Sequence, residues 1–331
     1  MLSCRIRLRR SAPVTAESPQ HTVDPVKTWI IGRGGLLGRA LARRFTDQWT
    51  APAITWSDPT AALAALRTQA KQFHEQTADQ PWALLWAAGA GVVSSDAAAL
   101  QAERSYLMTV LESVAARRNN GRGVVFLASS AGGVYAGSAP APFHAGSPAV
   151  ARSPYGEVKL QQESDARRLL ADRAGLLIGR IANLYGPDQN PDKQQGLITR
   201  LCQAAAHRSP LNLYVPLGTL RDYVYADDAA AVIAQQVRSS LASHKRPYEQ
   251  TVMVVATGHA TSVGQLIGVV QGVTHRRVPL ATGSQADTRI AAQRQVPDLR
   301  LIPTVPLSER TALATGVRRV FDALVTRTRT A

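Results

Sequence analysis

The sequence predicts an α/β fold in which helices cover both faces of a parallel sheet. Short apolar runs and segments with helical spacing alternate from residue 28 onward, as in "TWIIG" followed by "GLLGRALARRF". The run "WALLWAAGAG" is apolar almost throughout, as expected of a strand that is buried on both faces. Beyond Gly186 the segments become shorter and less regular. The pattern therefore predicts βαβ units followed by a smaller C-terminal lobe.

Taken in chain order, the segments define a first domain over residues 26–186. "AITWS" is predicted as its second strand and "AALAALRTQAKQF" as a helix, followed by a long helix over 98–118 and the buried strand "GVVFLASS". A further helix and the strand "GLLIGRIAN" complete this domain, and residues 222–258 are expected to return to it. The substrate-binding lobe is then assigned to residues 187–221 and 259–325.

Composition limits the classes of function. The 331 residues carry a net charge of +15, but the basic residues are scattered, which is more typical of a solvated surface or an anionic small substrate than of a nucleic-acid groove. No apolar run reaches the ~20 residues that cross a bilayer. Cys4 and Cys202 are too few for a disulfide framework or a metal site and fit a reducing cytosol. We expect a cytoplasmic protein without a metal.

The first 25 residues are basic and then polar, and they lack the apolar core of a secretion signal. We interpret residues 1–25 as a disordered basic tail, with a targeting peptide as the alternative.

A glycine-rich turn follows the first predicted strand and opens the first helix. In "IIGRGGLLGRAL", Gly32, Gly35 and Gly38 form a G-x-x-G-x-x-G array, with Gly34 in addition. Glycines allow a tight turn and a close approach to a pyrophosphate, and the helix N-terminus offers unpaired N–H groups. This context predicts a dinucleotide site in a Rossmann-type domain. A strand–helix turn with a purely structural role is the alternative.

The residues near the second predicted strand bear on the choice of cofactor. NAD sites usually place an acidic residue about 20 residues after the glycines, where it binds the ribose 2′-hydroxyl. Here the strand end carries Trp56 and Ser57, with Asp58 one step later. Arg33, inside the glycine turn, is well placed to meet a 2′-phosphate. The pattern favours NADP, and NAD remains possible if Asp58 faces the ribose.

Several motifs in order carry a family resemblance. They are the glycine turn, "LLWAAGAG", "FLASSAGGVYAG", "SPYGEVKLQQE", "GRIANLYGPDQ", "LRDYVYADDAAAVI" and "TSVGQLIGVVQGV". Over residues 26–324 the chain resembles the extended short-chain dehydrogenase/reductase family, in its NAD-dependent epimerase/dehydratase group that acts on nucleotide sugars. That family fits two strands between the first helix and "WALLWAAGAG", where this chain has only about 35 residues. We therefore expect the sheet to be one strand short before the fourth strand.

The resemblance implies a catalytic set. Tyr155 would be the general acid or base, and Lys159 its partner, which also holds the nicotinamide ribose. Positions i and i+4 share a helix face, and a nearby cation favours the phenolate of a tyrosine. The hydroxyl that binds the reacting oxygen is assigned to Ser130 in preference to Ser129. The alternatives are two ordinary residues on a helix surface and two serines that end a strand without a chemical role.

The resemblance also implies the binding residues. Ala87, Ala88 and Gly89, at the end of "LLWAAGAG", would contact the cofactor. Arg221 would bind the diphosphate of a nucleoside-diphosphate sugar, because planar guanidinium suits phosphate oxygens. Asn183 would contact the substrate near it. Arg289 would be a second diphosphate ligand, with Arg294 as its competitor.

Departures from the family pattern narrow the reaction. Ala131 and Gly132 follow Ser130 where dehydratases of the family carry an acidic pair, so 4,6-dehydration and the related decarboxylation are disfavoured. Hydride transfer at the sugar C4 position remains. An NADPH-dependent 4-ketoreductase is favoured, an NAD-dependent 4-epimerase is the alternative, and a catalytically idle sensor or nucleic-acid partner is a third reading. The family also implies a homodimer.

Overall fold

The structure is a computed structural model that describes residues 26–89, 96–117, 122–192, 196–243, 248–282, 298–307 and 310–330. The predicted N-terminal tail with Cys4, and both Arg289 and Arg294, lie outside the described residues. In the described part of the chain, no helix has the length and apolar character that a membrane span requires.

Five parallel strands form the central sheet. They are β1 (Lys27–Ile31), β2 (Trp82–Trp86), β3 (Gly123–Ser130), β4 (Gly175–Ile181) and β8 (Gln250–Val255), and they lie side by side in this order. Every neighbouring pair is parallel. All five residues of β2 and all seven of β4 are buried, because helices cover both faces of the sheet. The predicted parallel sheet is confirmed.

Helices pack on both faces of this sheet, which confirms the doubly wound arrangement. One face carries α1 (Leu36–Ala42), α4 (Ala131–Val134) and α7 (Ala226–Ala242). The other carries α2 (Pro59–Gln76), α3 (Ala97–Ala115) and α5 (Pro154–Leu170), which pack side by side in that order. The carboxyl ends of the strands therefore share one edge of the sheet, flanked by the first residues of α1, α4 and α5.

The strand predicted at "AITWS" is wrong. Residues 51–55 form no regular structure, and β1 is the last strand at its edge of the sheet. The edge is covered by a single bridge, in which Thr28 N donates to Asp47 O (2.9 Å) and Trp49 N to Thr28 O (2.8 Å). Pro52 and Pro59 flank the segment and remove backbone donors, and Ile54 packs against the core instead of entering a ladder. The sheet is shortened before the fourth strand, as predicted. The residues between β1 and β2, all of them described, form neither of the two strands that the family fits there, where we expected the loss of one.

The remaining elements form a second cluster. Three strands, β5 (Asn183–Tyr185), β7 (Leu220–Tyr225) and β9 (Ala260–Ser262), form a small sheet, and β6 (Leu211–Leu213) pairs with β10 (Leu280–Thr282). The helices α6 (Leu197–His207), α8 (Val263–Thr274) and α9 (Leu313–Thr330) pack on one another around a separate apolar core. β5 follows directly from the end of β4, and β7 leads directly into α7. This cluster therefore lies at the carboxyl edge of the central sheet.

Candidate active site

The glycine turn between β1 and α1 is packed against the end of β2. Gly32 adopts φ +87°, a conformation that favours glycine, and accepts a hydrogen bond from Gly35 N at 2.9 Å. A Cβ on Gly32 would lie 2.5 Å from Ala88 N, and one on Gly38 would overlap the Gly32 carbonyl oxygen. The glycine at position 32 allows the turn to pack against Ala87 and Ala88, and the glycine at position 38 allows α1 to lie close to the turn.

The backbone of the turn faces solvent at residues 33–35. Arg33 is exposed, and a Cβ on Gly34 would meet no atom within 4 Å. This open cradle, closed on one side by Ala87–Gly89, is shaped to admit a phosphate against its backbone N–H groups. The residues predicted to bind a dinucleotide are thus brought together in space.

The Asp58 side chain is engaged within the protein. Its carboxylate accepts hydrogen bonds of 3.0 Å from Thr60 N and Ala61 N, so it caps the N-terminus of α2. The neighbouring Trp56 is 41% exposed and meets Tyr106 edge-on, with ring centroids 5.5 Å apart. A carboxylate engaged in a helix cap is less available to a ribose hydroxyl.

The tyrosine and lysine of "YGEVK" lie on the first two turns of α5. Ser153 caps this helix by accepting from Gly156 N at 3.2 Å, and Pro154 occupies the first helical position. Lys159 Nζ then lies 5.7 Å from the centroid of the Tyr155 ring. Tyr155 is half-buried and Lys159 is buried, so neither side chain lies on a solvent-exposed helix surface.

Tyr155 and Ser130 both contact Gly133 of α4. The Ser130 hydroxyl accepts a hydrogen bond from Gly133 N at 3.2 Å and so caps α4. A Cβ on Gly133 would lie 3.0 Å from Tyr155 Cε1, so the tyrosine ring packs directly on this glycine. The structure therefore brings Ser130, Tyr155 and Lys159 to the same edge of the sheet.

Ser129 and Ser130 have different partners. Ser129 is 6% exposed, and its hydroxyl donates to Glu163 Oε1 at 2.6 Å. The half-buried Ser130 uses its oxygen as an acceptor, which leaves the O–H as a donor for a bound molecule.

Beneath these residues lies a buried ion-pair network that the sequence analysis missed. Arg180 Nη2 lies 2.7 Å from Glu163 Oε2, and Arg180 Nη1 donates to the Tyr135 hydroxyl at 2.9 Å. Lys159 Nζ lies 2.7 Å from Glu103 Oε1 on α3. Burial alone would lower the pKa of Lys159, but Glu103 and Tyr155 outweigh it, and the pKa is raised above its ordinary value. Lys159 is therefore a cation in this site.

One sequence signal could have located Glu103. The positions 100, 103, 107, 110 and 114 form the apolar stripe of α3, and a carboxylate at the second of them is out of place unless it has a buried partner.

Two predicted substrate residues lie on adjacent strands of the small sheet. Asn183 faces Tyr223 in the β5–β7 register, and its side chain donates to Asp222 O at 3.1 Å. Arg221, on β7, donates to Leu220 O at 2.8 Å, and burial lowers its pKa below the ordinary value. The predicted Arg289 lies outside the described residues.

Comparisons with known proteins show the family of the chain. The model of the NAD dependent epimerase/dehydratase family matches residues 28–249. A dTDP-4-dehydro-6-deoxyglucose reductase of Escherichia coli is 24% identical over 196 residues, which are 57% of this chain and 60% of that protein. The match thus spans less than two thirds of the relative's length.

Solved structures share the fold over nearly the whole chain. MoeE5, in complex with UDP-glucuronic acid and NAD, superposes with a TM-score of 0.70 at 19% identity, over 91% of this chain and 99% of its own. A UDP-glucose 4-epimerase of Thermotoga maritima, solved with UDP-glucose, superposes with a TM-score of 0.68 at 16% identity, over 92% and 100% of the two chains.

Proposed function

Because the chain belongs to the NAD-dependent epimerase/dehydratase family, we propose that it is an NADPH-dependent reductase that acts at C4 of a nucleoside-diphosphate 4-keto sugar. The observation that carries the proposal is the placement of Ser130 and Tyr155 on either side of Gly133, with Lys159 beside the Tyr155 ring, at the carboxyl edge of the central sheet. A phenol can protonate the carbonyl oxygen as a hydride is added to the carbon, and a hydroxyl donor and a buried cation can stabilise the charge that develops.

In this proposal each residue of the site has a defined role. NADPH supplies the hydride when bound, held by Gly32, Arg33, Gly35 and Gly38 and by the segment Ala87–Gly89. Tyr155 gives its proton to the carbonyl oxygen as negative charge develops there. Ser130 donates a hydrogen bond to the same oxygen. Lys159, charged and 5.7 Å from the tyrosine ring, favours the phenolate that this transfer leaves.

The surroundings of Ser130 support a reductase over an enzyme that eliminates water. Ala131 is fully buried, and a Cβ on Gly132 would meet only Leu299, at 3.5 Å. The nearby carboxylates of Glu103 and Glu163 are held in ion pairs with Lys159 and Arg180. A paired carboxylate is a poor base for abstracting a proton from the sugar.

Two observations support NADP as the cofactor. Arg33 is exposed in the glycine turn, where its guanidinium can bind a phosphate in bidentate fashion. Asp58, the nearest acidic candidate for a ribose hydroxyl, is engaged as the cap of α2. The sequence similarity to a dTDP-4-dehydro-6-deoxyglucose reductase supports reduction of a 4-keto group.

A nucleotide-sugar 4-epimerase that retains NAD is the second candidate. It is favoured by the fold that the chain shares with the UDP-glucose 4-epimerase of Thermotoga maritima and with MoeE5 bound to NAD. On the substrate side, both candidates use Asn183 and Arg221, with Arg289 as a further predicted ligand of the diphosphate.

A catalytically idle sensor or nucleic-acid partner is the third candidate. The arrangement of Tyr155 and Lys159 argues against it, because a sensor needs no buried cation beside a phenol. A homodimer through α3 and α5 and a cytoplasmic location stay predictions. Light scattering of the purified protein tests the first of these.

Mass spectrometry of the cofactor that co-purifies with the protein separates the candidates. Protein that is empty or carries NADP, and that then reduces a dTDP- or UDP-linked 4-keto sugar, supports the reductase. NAD retained at one equivalent, with interconversion of UDP-glucose and UDP-galactose, establishes the epimerase instead. Salt-dependent binding of nucleic acid without turnover of any nucleotide sugar would favour the third candidate.

A further inference from the structure

We propose that Glu103 is a positioning residue for the reaction, which holds the Lys159 ammonium as a buried cation between α3, α5 and the segment that follows β2. The proposal deepens the assignment of the site and rests on the proposed role of Lys159. In this proposal Glu103 acts through Lys159 and does not contact the substrate.

The contacts of Lys159 define the position of its ammonium group. Lys159 Nζ lies 2.7 Å from Glu103 Oε1 and donates to Gln162 Oε1 at 3.0 Å. The Gln162 amide donates in turn to Glu103 Oε1 at 3.3 Å, which closes a triangle of three buried side chains. The side chains of Lys159 and Glu103 are 7% and 9% exposed. A charge-assisted pair screened from water in this way fixes both partners more firmly than a surface pair does.

The backbone at Gly89 packs against the Glu103 carboxylate. Its φ is +153°, and a Cβ there would lie 3.1 Å from Glu103 Oε1. The carboxylate therefore rests against the backbone just after β2, in the segment Ala87–Gly89 proposed to contact the cofactor. Glu103 thus connects the lysine to the cofactor side of the site.

The charges around Lys159 explain why it needs this partner. Tyr155 and Glu163 face it from α5, and Glu103 faces it from α3. Glu163 is already paired with Arg180 at 2.7 Å, so Glu103 is the carboxylate in direct contact with the ammonium. A lysine this deeply buried favours the neutral amine when its carboxylate is removed.

The ion pair makes the stability of the protein depend on pH in a defined direction. With Glu103 present, the pKa of Lys159 in the folded protein is raised, so the stability contributed by the pair is present at neutral pH and is lost only above pH ~10.4, the ordinary value for lysine. Without Glu103 the folded pKa falls below the unfolded value. The unfolded chain then binds more protons than the folded one, so stability rises with pH up to about 10.4.

The test compares Glu103→Gln with Glu112→Gln, an exposed glutamate on the same helix, in cofactor-free protein. Unfolding midpoints are measured from pH 6.5 to pH 10. We expect Glu103→Gln to lower the midpoint by roughly 5 °C at pH 6.5, with a deficit that narrows as the pH rises. Glu112→Gln should follow the wild-type curve. A deficit in Glu103→Gln that is the same at every pH, or no deficit, overturns the proposal.

A double variant keeps the test usable if Glu103→Gln does not fold. Glu103→Gln combined with Lys159→Met removes both charges, so it should unfold at a higher midpoint than Glu103→Gln and show no rise with pH. A double variant no more stable than Glu103→Gln contradicts the proposal.

A kinetic arm separates this inference from the proposed reaction. In Glu103→Gln the alkaline limb of the kcat profile should move at least one pH unit lower, because Lys159 loses its proton earlier. An unmoved limb contradicts the positioning role. If the wild-type protein reduces no 4-keto sugar, the proposed function fails while the unfolding midpoints still decide the ion pair.

Discussion

The Ser129 hydroxyl donates a hydrogen bond of 2.6 Å to the Glu163 carboxylate, which also pairs with Arg180. This bond distinguishes two adjacent serines whose roles are hard to tell apart from the sequence. Ser129 belongs to the buried network under the site, while Ser130 presents its hydroxyl at the edge of the sheet beside Tyr155.

Alanine variants of the two serines should therefore fail in different ways. Ser130→Ala should lower kcat on the order of 10²-fold or more, because it removes a donor to the developing oxyanion. Its unfolding free energy should fall by only about 1 kcal/mol, the value of a helix cap. Ser129→Ala should reduce stability at least as much, because a buried carboxylate loses a donor, while kcat changes little. The reverse pattern in steady-state kinetics and denaturant unfolding would reassign the hydroxyl to Ser129.

The glycine turn allows a matched pair of substitutions. Gly38→Ala forces a methyl group into the Gly32 carbonyl, so it should destabilise the fold by about 1–3 kcal/mol and weaken cofactor binding. Gly34→Ala meets no atom within 4 Å and should leave stability within about 1 kcal/mol of the wild type. Urea unfolding and cofactor titration measure both effects. Equal losses in the two variants would mean that the turn is not packed as described.

Arg33 should determine the preference between the two nicotinamide cofactors. Arg33→Ala removes a charge-assisted contact to a 2′-phosphate and should raise the Kd for NADPH ~10–100-fold, with a much smaller change for NADH. Arg67→Ala, an exposed arginine on α2, is the control and should change neither. Parallel fluorescence titrations of the wild type and the two variants give the six affinities. If Arg33→Ala weakens both cofactors equally, the argument for NADP is lost.

His74 should contribute a pH dependence at the acid end. Burial, with a smaller contribution from Arg117, lowers its pKa to about 4. An unfolded histidine titrates near pH 6.5, so the unfolded chain binds more protons between these values and stability falls as the pH drops from about 6.5 to 4. His74→Gln should flatten this part of the curve of unfolding midpoint against pH. The exposed His207→Gln should leave its slope unchanged, and an unaltered slope in His74→Gln would contradict the assignment.

The features that the sequence predicts well are those that depend on short spacings. The glycine turn needs only a strand, three glycines and a helix in succession, and Tyr155 and Lys159 are joined by a single helical turn. Both arrangements occur in the structure at the predicted positions. The parallel sheet is confirmed for the same reason, because each buried strand is an apolar run that is recognisable on its own.

The features that escape the sequence depend on partners far along the chain. "AITWS" has the composition of a strand, but a strand also needs a neighbour to pair with, and here residues 47 and 49 make the hydrogen bonds to the edge of β1 while residues 51–55 enter no ladder. Glu103 and Lys159 are 56 residues apart, and no local pattern shows that α3 and α5 bring them within 2.7 Å. Which of the two serines meets Glu163 is likewise a tertiary property, and it is Ser129.

In the proposed reaction Tyr155 transfers a proton while one NADPH is consumed for each sugar reduced. The most direct measurement is the ratio of NADPH oxidised to sugar converted, with dTDP-4-dehydro-6-deoxyglucose as the first substrate tried, in the wild type and in Tyr155→Phe. We expect a ratio of one in the wild type. In Tyr155→Phe we expect a loss of turnover on the order of 10²–10⁴-fold, with nearly unchanged cofactor affinity. Sugar conversion without net NADPH oxidation, or full activity in Tyr155→Phe, would contradict the proposed reduction.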